Sequence, residues 1–226
     1  LEARDDWNRT TRVAWKWLDS QEVIFTYDGT FDDDAAFSVN ACTGTRTEGA
    51  KAPAVEYLNK VKLTALPDEE YALTFDEFYA KTLAKEKDAL DLLEANALGG
   101  VGNFLHMEQG RIRYAYGATL LMHPVGHMMM TRNMLYSPSK EYYDVLETYM
   151  VEDESLVDLD EYRSFIVEAA HVLDSENRQV TDLYPKTVAQ MKYIAGRFKS
   201  EKLRNTLLHY LAATYVDRHG IDNIQD

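Results

Sequence analysis

Cysteine is nearly absent from the 226-residue sequence, which has only Cys42. One thiol cannot form an internal disulfide, and it cannot supply the Cys-x-x-Cys pair that dithiol exchange requires. A single cysteine beside apolar residues such as Ala41 typically behaves as a small buried side chain. We therefore expect no thiol:disulfide exchange from this chain alone.

Long apolar runs and basic residues are also scarce. The most apolar stretch, "GATLLMHPVGHMMM" (117–130), is interrupted by His, Pro and Gly and falls short of the roughly 20 apolar residues that cross a bilayer. Because 24 basic residues face 38 acidic ones, the net charge is −14, which opposes binding to a phosphate backbone. The sequence therefore argues against nucleic acid as a partner, while its 46% hydrophobic content suffices for a core.

The common catalytic motifs are missing as well. The sequence has no G-x-S-x-G nucleophile elbow and no glycine-rich phosphate loop. The acidic stretch "EDESLVDLDEY" (152–162) is typical of a solvated loop leading into a helix N-terminus, where carboxylates are favoured. We therefore predict no catalytic residue and no cofactor.

The first 65 residues have the composition of short strands. Three segments rich in β-branched and aromatic residues are separated by turn-forming residues, namely "VAWKWL" (13–18), "EVIFTY" (22–27) and "AAFSVNA" (35–41). They predict a small N-terminal antiparallel β-sheet in a β-rich part, 1–65. A helical domain would follow over 66–226, either as a second domain or as part of one continuous unit.

Helical patterns dominate after Thr74, which precedes "FDEF" as a candidate N-cap with Glu77 three residues later. About six helices are predicted, over 75–98, 103–121, 138–150, 159–173, 185–198 and 200–220. Glycines would end the first and the last, and Ser137-Pro138 would open the third. The predicted fold class is therefore α+β, a small sheet followed by a helical bundle.

The segment "LMHPVGHMMMTRNM" (121–134) has the residue types of a soft-metal site. On an unbroken helix His123, His127, Met130 and Met134 would share one stripe. Pro124, however, cannot donate the helical hydrogen bond, so we expect a kink or restart that separates them. The segment also lacks the glutamate of a His-Glu-x-x-His site, so packing is the favoured interpretation and no metal is predicted.

Tyrosine is abundant, with fifteen in the chain. Amphipathic tyrosine rings suit either helix packing or a peptide-binding groove, and packing is the expected role. Those singled out in the helical part are Tyr114, Tyr116, Tyr136, Tyr142, Tyr143, Tyr149 and Tyr162.

The succession of these pieces resembles the region preceding the thioredoxin domain in TlpA/ResA-like thiol:disulfide oxidoreductases of the bacterial envelope. The likeness covers nearly the whole chain, and each piece alone is a loose pattern. The pieces are "VIFTYDG", "APAVEYLNKV", "LTFDEFYAK", "QGRIRYAYGATLLMHP", "SPSKEYYDVLE", "LDEYRSFI" and "SEKLRNTLLHYLAATYVDRHGIDNI".

The resemblance implies a periplasmic or cell-envelope parent protein in which this region supports a C-terminal thioredoxin fold. The family's catalytic cysteines match no position here, so none is carried over. We expect the thioredoxin domain to follow Asp226 in the parent, and the alternative is a member that has lost it. Any membrane attachment would come from a lipid anchor outside this chain.

Two functions are therefore predicted. The first is a non-catalytic accessory module that supports or orients a covalently linked thioredoxin-like domain and contacts its protein substrates. The alternative is an independent ligand- or metal-binding helical domain that uses segment 121–134.

Overall fold

The structure is a computed structural model that describes residues 2–4, 10–12, 24–26, 46–48, 57–58, 61–96 and 104–220. The chain divides into two compact units. The first contains Leu1–Thr64 with Lys87–Gln109, and the second contains Ala65–Glu86 with Gly110–Asp226. The predicted division into 1–65 and 66–226 stays a prediction.

Four strands of three residues each lie in the N-terminal part. β1 (Glu2–Arg4) pairs antiparallel with β2 (Thr10–Arg12), and β3 (Ile24–Thr26) pairs antiparallel with β4 (Arg46–Glu48). The two pairs share no strand. Among the described residues each is a pair of two strands, which is too small to form a stable layer for helices to pack on.

The predicted α+β class and its N-terminal β-sheet are therefore wrong, and the described structure is helical. Of the three predicted strands, only 22–27 contains a described one, β3. The segments 13–18 and 35–41 lie outside the described residues. The β-branched and aromatic composition was misleading because such residues pack equally well in other settings, and strand propensity depends strongly on context.

Six α-helices occupy the described part of the chain: α1 (Phe75–Ala95), α2 (Phe104–Thr131), α3 (Lys140–Glu147), α4 (Asp160–Leu173), α5 (Leu183–Arg197) and α6 (Glu201–His219). Two short 3₁₀ helices, Asp68–Ala72 and Glu154–Leu156, precede α1 and α4. The predicted helical bundle is thus confirmed in number and order. None of these helices, within the described residues, is both long and apolar enough to cross a membrane.

The ends of α1 and α6 follow the capping signals in the sequence. At the start of α1 the backbone N–H of Thr74 donates to Glu77 Oε2 at 3.2 Å, which is half of a capping box. At the start of α6 the hydroxyl of Ser200 accepts from the N–H of Leu203. Gly220 ends α6 with a φ of 68°, a left-handed conformation that favours glycine.

Helix α2 runs without interruption through Pro124. The expected restart, which would have placed His123 at a helix cap, is therefore wrong, whereas the expected kink stays a prediction. Pro124 has no N–H to donate to the carbonyl of Leu120, so one hydrogen bond of the helix is not made. Leu120 and His123 are fully buried, and the hydroxyl of Tyr142 donates to the nearby carbonyl of Leu121 at 3.0 Å.

Helix α3 begins two residues later than Pro138 would suggest, at Lys140 after Ser139. Its buried residues Tyr142 and Leu146 lie four apart and form the inward stripe of an amphipathic helix.

The core of the second unit is built largely of aromatic side chains. The ring centroids of Tyr114 and Tyr162 lie 4.8 Å apart, edge to face, and the Tyr149 and Phe165 centroids are 5.4 Å apart. The hydroxyl of Tyr114 donates to the carbonyl of Tyr149 at 3.0 Å. Burial raises the pKa of Tyr114 to about 12, so its hydroxyl stays protonated and remains a donor.

The packing role predicted for the helical tyrosines is confirmed for five of the seven, which are buried: Tyr114, Tyr116, Tyr142, Tyr149 and Tyr162. The remaining two, Tyr136 and Tyr143, are half-buried.

Candidate functional site

A cleft of about 330 Å³ opens between α4, α5 and α6 in the second unit. Each of the three helices lines it with residues spaced three or four apart, so each presents one longitudinal stripe. The α4 stripe consists of Ser164, Val167 and Glu168. This cleft is the candidate functional site.

The α5 stripe consists of Leu183, Lys186, Thr187 and Gln190. Thr187 and Gln190 are 8% and 3% exposed, which is unusual for polar residues. Their hydrogen bonds explain how they tolerate burial. The Thr187 hydroxyl donates to the carbonyl of Leu183, and the Gln190 amide donates to the carbonyl of Val167 at 2.8 Å. The second bond ties α5 to α4 beside the cleft.

The α6 stripe adds two aromatic rings and a guanidinium to the cleft. Its residues are Tyr210, Leu211, Thr214, Tyr215 and Arg218. The hydroxyl of Tyr210 lies 3.0 Å from that of Ser164, which connects α6 with α4. The ring of Tyr215 packs edge to face against Tyr184 of α5, with 6.1 Å between the centroids. Contacts on both sides thus hold the tyrosines in place.

The lining combines apolar and polar groups. Val167 and Leu211 are buried and supply apolar surface, while hydroxyls and charges supply polar surface. Lys186 Nζ lies 3.1 Å from Glu168 Oε2, an ion pair across the α4–α5 side. Arg163, which does not line the cleft, places its guanidinium carbon 5.3 Å from the centroid of the Tyr210 ring. This combination suits a ligand with both an apolar and a polar portion.

The four candidate metal ligands differ widely in their exposure. His123 is fully buried and His127 is half-buried, and their ring centroids are 5.3 Å apart. Met130 is 45% exposed, and Met134 is 73% exposed and lies beyond the end of α2. The two imidazoles are therefore the close neighbours that the contacts establish.

The two imidazoles converge on a carbonyl oxygen. His123 Nε2 lies 3.1 Å from the oxygen of Leu73, and His127 Nδ1 lies 3.0 Å from the same oxygen and 2.9 Å from that of Tyr71. Because a carbonyl only accepts, both nitrogens carry protons. A metal ligand needs a free lone pair there, so this geometry does not fit a cation between the rings.

The other ring nitrogen of His123, Nδ1, is buried and has no hydrogen-bond partner in the described part of the chain. The rings of Tyr71, Phe75, Phe78, His127 and Tyr136 surround this imidazole. Burial lowers the pKa of His123, and the neighbouring His127 lowers it further, whereas the bond to Leu73 opposes the shift. The structure thus favours the neutral imidazole.

No cluster of three or more His, Cys, Asp or Glu side chains with metal-binding geometry occurs among the described residues. The sequence reasoning had not identified the α4–α6 cleft. One indication of the cleft was present in the sequence. In three consecutive helices, polar residues stand at positions where the helical repeat predicts buried apolar ones, for example Thr187 and Gln190 on the inward face of α5.

No family model, curated protein or solved structure matches this chain.

Proposed function

We propose that this chain is a helical accessory module, without catalysis of its own, that holds a polypeptide segment in the α4–α6 cleft. The observation that carries the proposal is the convergence of three helical stripes on one cleft with apolar, aromatic and hydrogen-bonding surface. Its volume of about 330 Å³ lies at the lower end of ligand pockets, which span roughly 300 to 1,000 Å³. A cleft of this size can accommodate a few side chains of an extended peptide.

The composition of the lining supports a peptide ligand. Tyrosine provides a large contact area at a low entropic cost, and it is enriched where proteins bind one another. Two tyrosines, Tyr210 and Tyr215, line the cleft beside hydroxyls that can bond to backbone amides. The bond between Gln190 and Val167 fixes two of the walls before any ligand arrives, which lowers the cost of binding.

The proposed setting is the bacterial envelope, with a covalently linked thioredoxin-like domain as the catalytic partner. This part of the proposal rests on the sequence resemblance alone. In that setting the module would present polypeptide segments to a dithiol centre that the single Cys42 cannot supply. A Cys-x-x-Cys encoded downstream of Asp226 in the parent gene would support this partner, and a gene without it would contradict it.

Peptide binding is tested with an unfolded polypeptide that cannot form disulfides. Fluorescein-labelled, reduced and carboxymethylated α-lactalbumin is titrated with the chain, and its fluorescence anisotropy is recorded. We expect saturable binding. Thr214→Trp, which fills the cleft with a bulky ring, should weaken it at least about tenfold, equivalent to about 1.4 kcal/mol.

The matched control is Thr206→Trp on the same helix, because Thr206 lies outside the cleft and its hydroxyl bonds only to the carbonyl of Lys202. It should bind like the unmodified chain. Equal affinities for the two variants, or no saturable binding by the unmodified chain, would contradict the proposal.

A further inference from the structure

We infer that the α4–α6 cleft selects polypeptide segments that carry a carboxylate, with Arg218 and Lys186 as the recognising cations. This inference rests on the proposed peptide-binding function and adds the chemistry of the ligand.

The charge of the cleft is opposite to that of the chain. The chain has a net charge of −14, yet the cleft lining contains two cations, Lys186 and Arg218, against one carboxylate, Glu168. A positive site in an otherwise negative protein attracts an anionic group locally, while the surrounding negative charge repels acidic groups that land elsewhere. The difference in charge between the cleft and the rest of the chain favours a ligand whose carboxylate enters the cleft.

The two cations differ in their availability. The Lys186 side chain is 24% exposed and is held by Glu168, so its charge is partly offset. Arg218 is exposed, and it has no ion pair within the described residues. Its sequence neighbour Asp217 does not line the cleft, and adjacent residues on a helix do not face each other. Of the two cations, Arg218 is therefore the one without an ion pair among the described residues, and we assign the incoming carboxylate to it.

The position of Arg218 suits this role. Tyr210, Thr214 and Arg218 follow one another at intervals of four on α6, so they form one line along the cleft. A peptide lying along this line would meet an aromatic ring, a hydroxyl and then a guanidinium. Guanidinium groups bind carboxylates through paired hydrogen bonds, which are stronger than bonds between neutral groups.

The inference is tested with three blocked pentapeptides, acetyl-Gly-Tyr-X-Leu-Gly-amide, in which X is Glu, Gln or Lys. Binding to the full chain is measured by isothermal titration calorimetry. We expect the Glu peptide to bind about five- to tenfold more tightly than the Gln peptide, and the Lys peptide to bind most weakly. The preference for Glu should shrink as salt is raised, because part of it is a screened attraction.

Three variants assign the preference to the named cations. Arg218→Gln should abolish most of the preference for Glu over Gln, measured as the ratio of the two dissociation constants within this variant. Glu168→Gln should increase the preference, since it releases Lys186 from its ion pair. Lys202→Gln is the control, because Lys202 is an exposed cation on α6 outside the cleft, and it should leave the preference unchanged.

The outcomes separate the two proposals. Equal binding of the Glu and Gln peptides, or tighter binding of the Lys peptide, would overturn carboxylate selection but leave peptide binding standing. Binding of none of the three peptides, together with no binding of the unfolded polypeptide, would overturn both. A preference for Glu that survives Arg218→Gln would overturn the assignment to Arg218.

Discussion

His123 and His127, four residues apart on α2, share one hydrogen-bond acceptor, the carbonyl oxygen of Leu73. The acceptor precedes α1 and lies 50 residues before His123 in the chain. The two histidines therefore hold the segment leading into α1 against the C-terminal half of α2 through hydrogen bonds. The role of these histidines is structural.

The chain should lose stability in acid, because the buried ring of His123 would then have to carry a charge. Burial lowers the pKa of His123, so the folded chain favours its neutral form. Its contribution to stability is then fully present above the pKa of the unfolded chain, about 6.5, and is lost as the pH falls below that value. We expect the free energy of unfolding, measured by urea denaturation, to fall between pH 7.5 and pH 5.5.

Two variants isolate this contribution. His123→Gln should cost about 1 to 3 kcal/mol at pH 7.5 but show a smaller loss between pH 7.5 and pH 5.5 than the unmodified chain. His209→Gln removes an exposed imidazole on α6 and should keep the pH dependence of the unmodified chain. A His123→Gln profile parallel to that of the unmodified chain would show that His123 is not the titrating group.

Metal ions should not stabilise the chain through this pair. Zinc at 100 times the dissociation constant of a real site would add about 2.7 kcal/mol to stability. Because the Leu73 carbonyl occupies the point on which the two imidazoles converge, we expect no thermal shift that depends on His127. The measurement is a zinc and copper titration followed by thermal denaturation, with His127→Gln beside the unmodified chain. A shift lost in His127→Gln would restore the metal-site hypothesis.

Two helical glycines should respond oppositely to alanine. A Cβ on Gly126 would lie 2.3 Å from Cδ1 of the Tyr71 ring, whereas a Cβ on Gly196 would meet nothing within 4 Å. Gly126→Ala should therefore lose about 1 to 3 kcal/mol through steric overlap, despite a better helix propensity. Gly196→Ala should gain about 0.5 kcal/mol, less than the full propensity difference because it lies near the end of α5. Urea denaturation of the two variants checks both signs.

Removing the buried charge of Glu86 should stabilise the second unit near neutral pH. Burial raises the pKa of Glu86, while Arg113 and the hydroxyl of Tyr149 partly oppose the shift. A carboxyl with a raised pKa favours its neutral form in the folded chain, so stability rises as the pH falls through that pKa.

Glu86→Gln mimics the neutral form and keeps an acceptor for the Tyr149 hydroxyl, which lies 3.3 Å away. We expect a gain of up to about 1 kcal/mol at pH 7. The exposed Glu94 of α1 provides the control, since Glu94→Gln should change stability by less than about 0.5 kcal/mol. A loss of stability in Glu86→Gln would mean that the attraction of Arg113 outweighs burial.

The helical part was predictable because its signals are local. Thr74 with Glu77, Ser200 and Gly220 marked helix ends through capping interactions that involve only neighbouring residues. The continuous course of α2 through Pro124 was not predictable, because the helix is buried there at His123 and receives a hydrogen bond from Tyr142 at the carbonyl of Leu121. Those partners come from distant parts of the chain, and local rules for proline do not include them.

The candidate site was harder to predict for a related reason. The histidine and methionine spacing on α2 was visible, but nothing local indicated that Leu73 would supply the shared acceptor. The cleft, in turn, depends on three helices whose stripes meet only after packing. A polar residue such as Gln190 looks like an ordinary surface residue until its burial and its bond to Val167 are known.

The methionines of α2 and the loop that follows it have a consequence for oxidative damage. Met129 and Met134 are 71% and 73% exposed, whereas Met107 and Met150 are buried. Oxidants convert accessible thioethers to sulfoxides first, and a sulfoxide on the surface disturbs no packing. The outer methionines can therefore consume peroxide, and reductases can restore them, while the interior thioethers stay intact.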